Sequence, residues 1–275
     1  MSTTTIETAI AAMLGRIDQT ARQDDSGFPH YGDPATGAWT RSPGGDWTGG
    51  FWVGELWLAA AATGDPWLRG QALAWAERLL PRAGSDTIFR GFLFWYGAAI
   101  GSVLLEDAEA ERIALVGADG LLDLWVPGAG LFPLGTTAEE AHAVGRTDAN
   151  IDGVPGVVPL LVWTADRTGG GPDTRRVGMA RSHARAHIGL CVRDDGSVCQ
   201  SASFDPDTGD LVRRYTHKGL TDDSTWTRAQ AWAMLGYAHS LRWLGPQFAG
   251  VATTVDDWWV AHVPDDGVAL SLIHI

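Results

Sequence analysis

Apolar residues recur at helical spacing along most of this chain. Ile6, Ile10, Met13, Leu14 and Ile17 share one face of the segment 4–20, the i, i+3, i+4 pattern of an amphipathic helix. The stretch 48–62, TGGFWVGELWLAAAA, is apolar almost all round and stops at Thr63-Gly64-Asp65. Pro66 opens the next predicted helix, 66–80, where its missing N–H does no harm. Gly91 to Leu105 repeats the apolar, aromatic style, and 107–124 is amphipathic again. Further helices are predicted at about 154–165, 173–190, 226–244 and 247–262. The polar, Gly- and Pro-rich runs 22–46 and 126–150 read as loops. One segment breaks the helical pattern: Ser201 to Thr216 holds Asp205-Pro206-Asp207-Thr208-Gly209-Asp210, turn chemistry with flanks able to pair as a hairpin. The whole reads as an all-α chain of about nine helices, with very apolar ones alternating with amphipathic ones. Such alternation fits a buried layer of helices covered by a second layer. No Pro- or Ser-rich linker divides it.

Composition narrows the partners. The 275 residues are 45% hydrophobic, enough for a large core, and carry a formal net charge of −13. That charge repels phosphate backbones, so no nucleic acid is expected, and an anionic substrate needs a local cationic pocket. No apolar run reaches the roughly 18 residues of a membrane span. The start, Met-Ser-Thr-Thr-Thr-Ile-Glu, lacks a basic stretch followed by an apolar one, so a cytoplasmic setting is expected. Cys191 and Cys199 read as buried thiols. Fourteen Trp among 35 Gly favour carbohydrate chemistry, because indole faces stack on the C–H faces of sugar rings; core filling accounts for most of them.

Candidate chemistry comes from carboxylates beside aromatics. There is no P-loop, no dinucleotide fingerprint and no Gly-x-Ser-x-Gly elbow. His183 and His187 are four apart, but no Glu follows His183 and no third ligand is evident, so neither metal nor cofactor is expected. Thr147-Asp148-Ala149-Asn150-Ile151-Asp152-Gly153 opens a helix. Either aspartate is able to serve as an ordinary N-cap. Equally, either is able to face a cavity as an acid of raised pKa that donates and later accepts a proton. Arg228 and Trp232, also four apart, share a helix face; they suit a sugar carboxylate or, equally, a surface Arg beside a core Trp.

An ordered set of segments resembles the unsaturated glucuronyl hydrolases of glycoside hydrolase family 88, with the related unsaturated rhamnogalacturonyl hydrolases behind them. It comprises TGGFWVGELWLAAAATGD (48–65), GFLF (91–94), IDGVPGVVPLLVWTA (151–165), RDDGS (193–197), FDPDTG (204–209) and THKG…STWTRAQAW (216–232). The resemblance implies an (α/α)6 barrel of six helical hairpins, occupying 1–269 as a single catalytic domain. It also implies removal of a 4,5-unsaturated uronic acid from the non-reducing end of lyase-generated oligosaccharides. In that chemistry an Asp protonates the C4=C5 vinyl ether and activates water that adds at C5. The hemiketal then rearranges and the glycosidic bond breaks.

Carried over by resemblance, Asp152 is the proton donor and base, after a one-residue insertion relative to Pro159, and Asp148 is the fallback. His183, Thr216, Arg228 and Trp232 match substrate-contact positions. Trp226 matches an aromatic wall, and Trp47 a stacking residue at the pocket mouth. Three positions depart from the family. Ile88 and Phe89 stand where it has His-Asp, its second essential carboxylate, with Asp86 near but out of register. Lys218 replaces the Gln of its His-Gln-Gly and adds a positive charge suited to a uronate. Gln200 stands where a His is expected. The expected partner is a small oligosaccharide, with no nucleic acid and no membrane; the oligomeric state is unknown.

Two other readings stay open: a related helical-barrel enzyme acting on another saccharide, and a non-catalytic sugar-binding barrel. Leu270 to Ile275, LSLIHI, is the translation of a transposase end used in sequencing libraries, so 270–275 reads as adapter read-through. Nine helices against the twelve of a full barrel then imply a C-terminally incomplete domain with apolar faces left open.

Overall fold

The computed structural model describes residues 3–23, 26–138, 147–171 and 174–269; the segment 270–275 lies outside them. The described residues cluster into two compact units, those up to Ala83 with Phe92–Gly117, and Gly84–Gly91 with those from Ala118 onward.

The first unit holds α1 (Thr3–Ala21), α2 (Gly49–Thr63) and α3 (Pro66–Glu77). Asp65 caps α3 by accepting from Trp67 N at 2.8 Å, with Pro66 at the first position. The helix predicted over 91–105 is broken. α4 (Arg90–Phe94) gives way to a π-helical turn, Trp95–Ala99, before α5 (Ile100–Leu105), and α6 (Ala108–Leu122) follows. Trp57, fully buried, donates from Nε1 to the Gly97 carbonyl at 3.0 Å in that turn. Ile6, Ile10 and Met13 of α1 are exposed, as is Leu58 of α2. An apolar groove of about 640 Å³ runs past Ile10, Met13, Trp39 and Leu58.

Part of the run 22–46 is not loop. β1 (Phe28–Gly32) and β2 (Trp39–Ser42) pair antiparallel around Asp33-Pro34-Ala35-Thr36-Gly37. Asp33 Oδ1 accepts from Ala35 N and Thr36 N at 2.7 and 3.1 Å. Gly37 N closes on the Asp33 carbonyl at 2.8 Å. In the second unit, Asp205-Pro206-Asp207-Thr208-Gly209 repeats this turn. Asp205 Oδ1 accepts from Asp207 N and Thr208 N at 2.8 and 3.1 Å, and Gly209 N meets the Asp205 carbonyl at 2.7 Å. Each turn ends on a left-handed residue, φ +69° at Gly37 and +77° at Gly209, which glycine adopts without strain.

The second unit is built on α7 (Val154–Arg167), buried from Val154 to Ala165, with α8 (Arg175–Cys191), α9 (Thr227–Leu244) and α10 (Ala249–His262). The predicted hairpin is present as β4 (Ser201–Phe204) and β5 (Leu211–Tyr215). The run 126–150 is not wholly loop: its end, Asp148–Asn150, forms β3, which makes β4 the middle strand of three. Cys191 and Cys199 are buried free thiols, and Cys199 Sγ donates to the Cys191 carbonyl at 3.2 Å.

Candidate active site

Strand register positions the acid. β3 runs antiparallel to β4, with Asp148 opposite Ser203 and Asn150 opposite Ser201. The pairing continues one step further, where Ile151 N donates to the Gln200 carbonyl at 3.0 Å. This register sets the Gln200 side chain against the turn Ile151–Gly153. Gln200 Nε2 donates to Asp152 Oδ2 at 3.2 Å. Gln200 is fully buried and Asp152 is 4% exposed.

Neither aspartate caps the helix. Asn150 does so: its Oδ1 accepts from Asp152 N at 2.9 Å, while its Nδ2 donates to Ser201 Oγ at 3.2 Å. α7 then starts without any side-chain cap. Asp148 ties the sheet together instead. Its Oδ1 accepts from Ser203 Oγ and from the Tyr215 hydroxyl, each at 2.8 Å. Burial, and then the Asp148 carboxylate, push the Tyr215 phenol up. Asp152 thus is not spent on capping, while Asp148 is engaged by the Ser203 and Tyr215 hydroxyls and, at 3.5 Å, by that of Thr147.

The family's second carboxylate has an apolar replacement. Ile88 is fully buried and Phe89 is 4% exposed. Ile88 closes on Gly153: a Cβ there would lie 2.1 Å from Ile88 Cδ1, so any larger residue would force the Ile88 side chain to move. Asp86 serves a different segment, its Oδ2 accepting from Thr136 N at 3.2 Å and Thr136 Oγ1 at 2.5 Å.

Other sequence-predicted residues fall into three groups. The first surrounds Trp226, the buried residue that opens α9. The Arg228 guanidinium lies 4.1 Å from its ring centroid and the Lys218 ammonium 5.5 Å, within cation–π range. Both cations are half-buried, as is Trp232 one turn on. The second group connects this face to the acid. Gln200 N donates to Thr216 Oγ1 at 3.4 Å, and Thr216 Oγ1 donates to the Ser224 carbonyl at 2.9 Å. Thr216 is buried, so its hydroxyl is engaged as a link.

The third group is internal. His183, fully buried, accepts the Phe132 N–H on Nδ1 at 3.2 Å, which assigns its proton to Nε2. Burial and the neighbouring His187 hold its pKa well below the usual value, and burial lowers His187 to about 4. Trp47 belongs to the first unit, half-buried, edge-on to Phe51 at 6.2 Å, with Phe51 stacked on Tyr96 at 4.6 Å. The residue that sequence reasoning missed is Gln200, noted there only as a departure. Its role follows from the β3–β4 register, which the sequence does not display. Among the described residues, no three His, Cys, Asp or Glu side chains gather as a metal site, and no helix is long and apolar enough to cross a membrane.

No family model matches the chain. The unsaturated glucuronyl hydrolase of Bacillus sp. (strain GL1) is 34% identical over 267 residues, which cover 94% of this chain and 68% of that protein. The unsaturated chondroitin disaccharide hydrolase of Streptococcus pyogenes serotype M1 is 29% identical, over 82% of this chain and 56% of its own length. The crystal structure of the Bacillus sp. GL1 unsaturated glucuronyl hydrolase matches with a TM-score of 0.86 at 32% identity, over 98% of this chain and 71% of that one. A solved unsaturated glucuronyl hydrolase specific for heparin shares the fold, at TM-score 0.83 and 23% identity. The described residues are mostly helical, in the α/α-barrel class of these relatives, with the short strands β1–β5 as the departure from an all-helical chain. With its identity to the Bacillus protein sustained over two thirds of that protein's length, the chain belongs to the unsaturated glucuronyl hydrolase family of glycoside hydrolases.

Proposed function

We propose that Asp152 performs the proton transfers by which this chain removes a 4,5-unsaturated uronic acid from the non-reducing end of a small oligosaccharide. The observation that carries this reading is the setting of Asp152: buried, relieved of capping by Asn150, and held by a neutral amide. A carboxyl in such a place is suited to protonate the C4=C5 bond and then to activate the water that adds at C5. Trp226, Arg228, Lys218 and Trp232 supply an aromatic, cationic face for the uronate, supported by the two cations about the Trp226 ring. Thr216 links acid to sugar face, Asp148 is the fallback acid, and His183 and Trp47 are substrate-binding residues on the resemblance alone. The solved relative named UGL with dGlcA-Glc-Rha-Glc is consistent with an unsaturated uronyl end. Residues 1–269 are read as one catalytic domain, supported by a match that runs along 98% of the chain. A cytoplasmic setting belongs to the same reading; adjacent thiols that stay unpaired suit a reducing compartment.

Incubation with a panel of unsaturated disaccharides tests the reading: their ultraviolet absorbance should decay, and Asp152→Asn should abolish the decay. Unchanged absorbance across the panel removes it. Phe89 in place of a carboxylate favours a second reading, hydrolysis of another saccharide, which product analysis on saturated glycosides would reveal. Binding by calorimetry without turnover would point to a sugar-binding barrel instead.

A further inference from the structure

An acid that alternates between giving and taking a proton changes what its neighbour must offer. Ionised, a carboxylate only accepts hydrogen bonds; protonated, it also donates one. A fixed partner suits one state and opposes the other. Gln200 carries a donor and an acceptor on one planar group, and a half-turn about its last torsion exchanges them.

The surroundings leave that torsion as the free coordinate. The Gln200 backbone is held on both sides, its carbonyl by Ile151 N at 3.0 Å and its N–H by Thr216 Oγ1 at 3.4 Å. Its side chain is fully buried. Nε2 rests on Asp152 Oδ2 at 3.2 Å, whereas the buried Oε1 has no hydrogen-bond partner among the described residues. No polar group on the far side therefore locks the amide in either orientation. We propose that Gln200 is a positioning residue for Asp152 whose amide reverses with each proton transfer, Nε2 serving the carboxylate and Oε1 the carboxylic acid. The proposal rests on the reading of Asp152 as the proton-transferring group.

Gln200 is itself untitratable, so it adds no charge as the acid cycles. Asp152 acts electrostatically on Cys191 of α8, which is coupled in turn to Cys199, to Arg214 of β5 and to Tyr237 of α9, while His187 of α8 bonds the backbone of Asn150 and lies against His183. Burial keeps the two imidazoles neutral near pH 7 and holds the Tyr237 phenol protonated. Cys199 donates its S–H to the Cys191 carbonyl, and Arg214 caps α8 by donating to the Gly189 and Leu190 carbonyls at 2.7 and 2.9 Å.

The test compares Gln200→Met, Gln200→Glu and Asp152→Asn on an unsaturated disaccharide across pH, following absorbance. Gln200→Met keeps the length and removes both hydrogen-bonding atoms. Its kcat should fall at least about tenfold with KM within about threefold, and its alkaline limb should move to higher pH, since the ionised form has lost a donor and the proton-donating acid persists to higher pH. Gln200→Glu sets a like charge beside Asp152 and should move that limb further the same way. It carries the test alone if the Met variant does not melt cooperatively. A wild-type kcat and an unmoved alkaline limb in either folded variant, beside an inactive Asp152→Asn, overturns the role of Gln200. An active Asp152→Asn overturns the reading beneath it.

Discussion

Asp152 is met by an amide and by apolar carbon: Gln200 holds one carboxylate oxygen, and Ile88 closes on the glycine that follows. Trp226 is met by two cations, Arg228 and Lys218, both half open to solvent. In the first region burial keeps dissolved ions away from the carboxylate. In the second, charge meets water, and Coulomb terms weaken within a Debye length of roughly 8 Å at physiological salt. On the proposed reading, the difference separates two tasks, moving a proton and recognising an anion. The two regions should therefore answer to different variables, the acid end to pH and the cationic face to salt.

The strongest way to break this contrast is at the acid. Asp152→Asn should lower turnover by roughly 10²–10⁴-fold, the usual weight of general acid–base catalysis, while Asp148→Asn should act mainly on the melting temperature through Ser203 and Tyr215. Equal losses of turnover would erase the distinction between the two aspartates.

Next in size is the apolar wall. Phe89→Asp restores the carboxylate that the resemblance expects, yet places it where a side chain is only 4% exposed. It should cost about 3–5 kcal/mol by denaturant titration, from lost packing alone; a variant as stable as the parent would show that the wall accepts charge.

The imidazoles behind the sheet give the pH arm. Burial lowers His187 from 6.5 to about 4 and His183 also well below its usual value. The unfolded chain takes up protons near pH 6.5 that the folded chain refuses. Stability is thus full above that pH and is lost as the pH falls towards 4, on the order of 3 kcal/mol for His187. Denaturation midpoints measured across that window should fall, and His187→Gln should flatten the fall. Smallest is the cationic face. Arg228→Ala should raise KM about tenfold, and Lys218→Gln only a few-fold, with both effects shrinking as salt rises. Salt-independent losses would move these residues from anion recognition to packing.

How much of this was legible varies with the length of the pattern involved. Long helices announce themselves: the segment 226–244 forms as Thr227–Leu244, and 4–20 as Thr3–Ala21, because four or five turns of apolar spacing outvote local exceptions. β3 is three residues long and pairs with a strand about 50 residues away; three residues show no period. The π turn at Trp95–Ala99 changes hydrogen bonding but not apolar character, so the sequence around it reads as unbroken helix. The site divides likewise. Asp152, Trp226 and Arg228 enter the candidate site through motif resemblance. The pairing of Asp152 with Gln200 depends on a strand register fixed only when the chain is folded. The β1–β2 hairpin is a different failure: its turn was readable at Asp205–Gly209 and overlooked at Asp33–Gly37, where the flanking strands are short and partly polar.

Those two turns amount to an experiment already performed by the molecule. The same Asp-Pro-x-Thr-Gly word closes the same bonds in two compact units with different neighbours, one holding Ala and the other Asp at its variable letter. Setting is varied and geometry is not, so the geometry belongs to the word. Such a pentapeptide is portable: it carries its own instructions, and the strands on either side need only be able to meet.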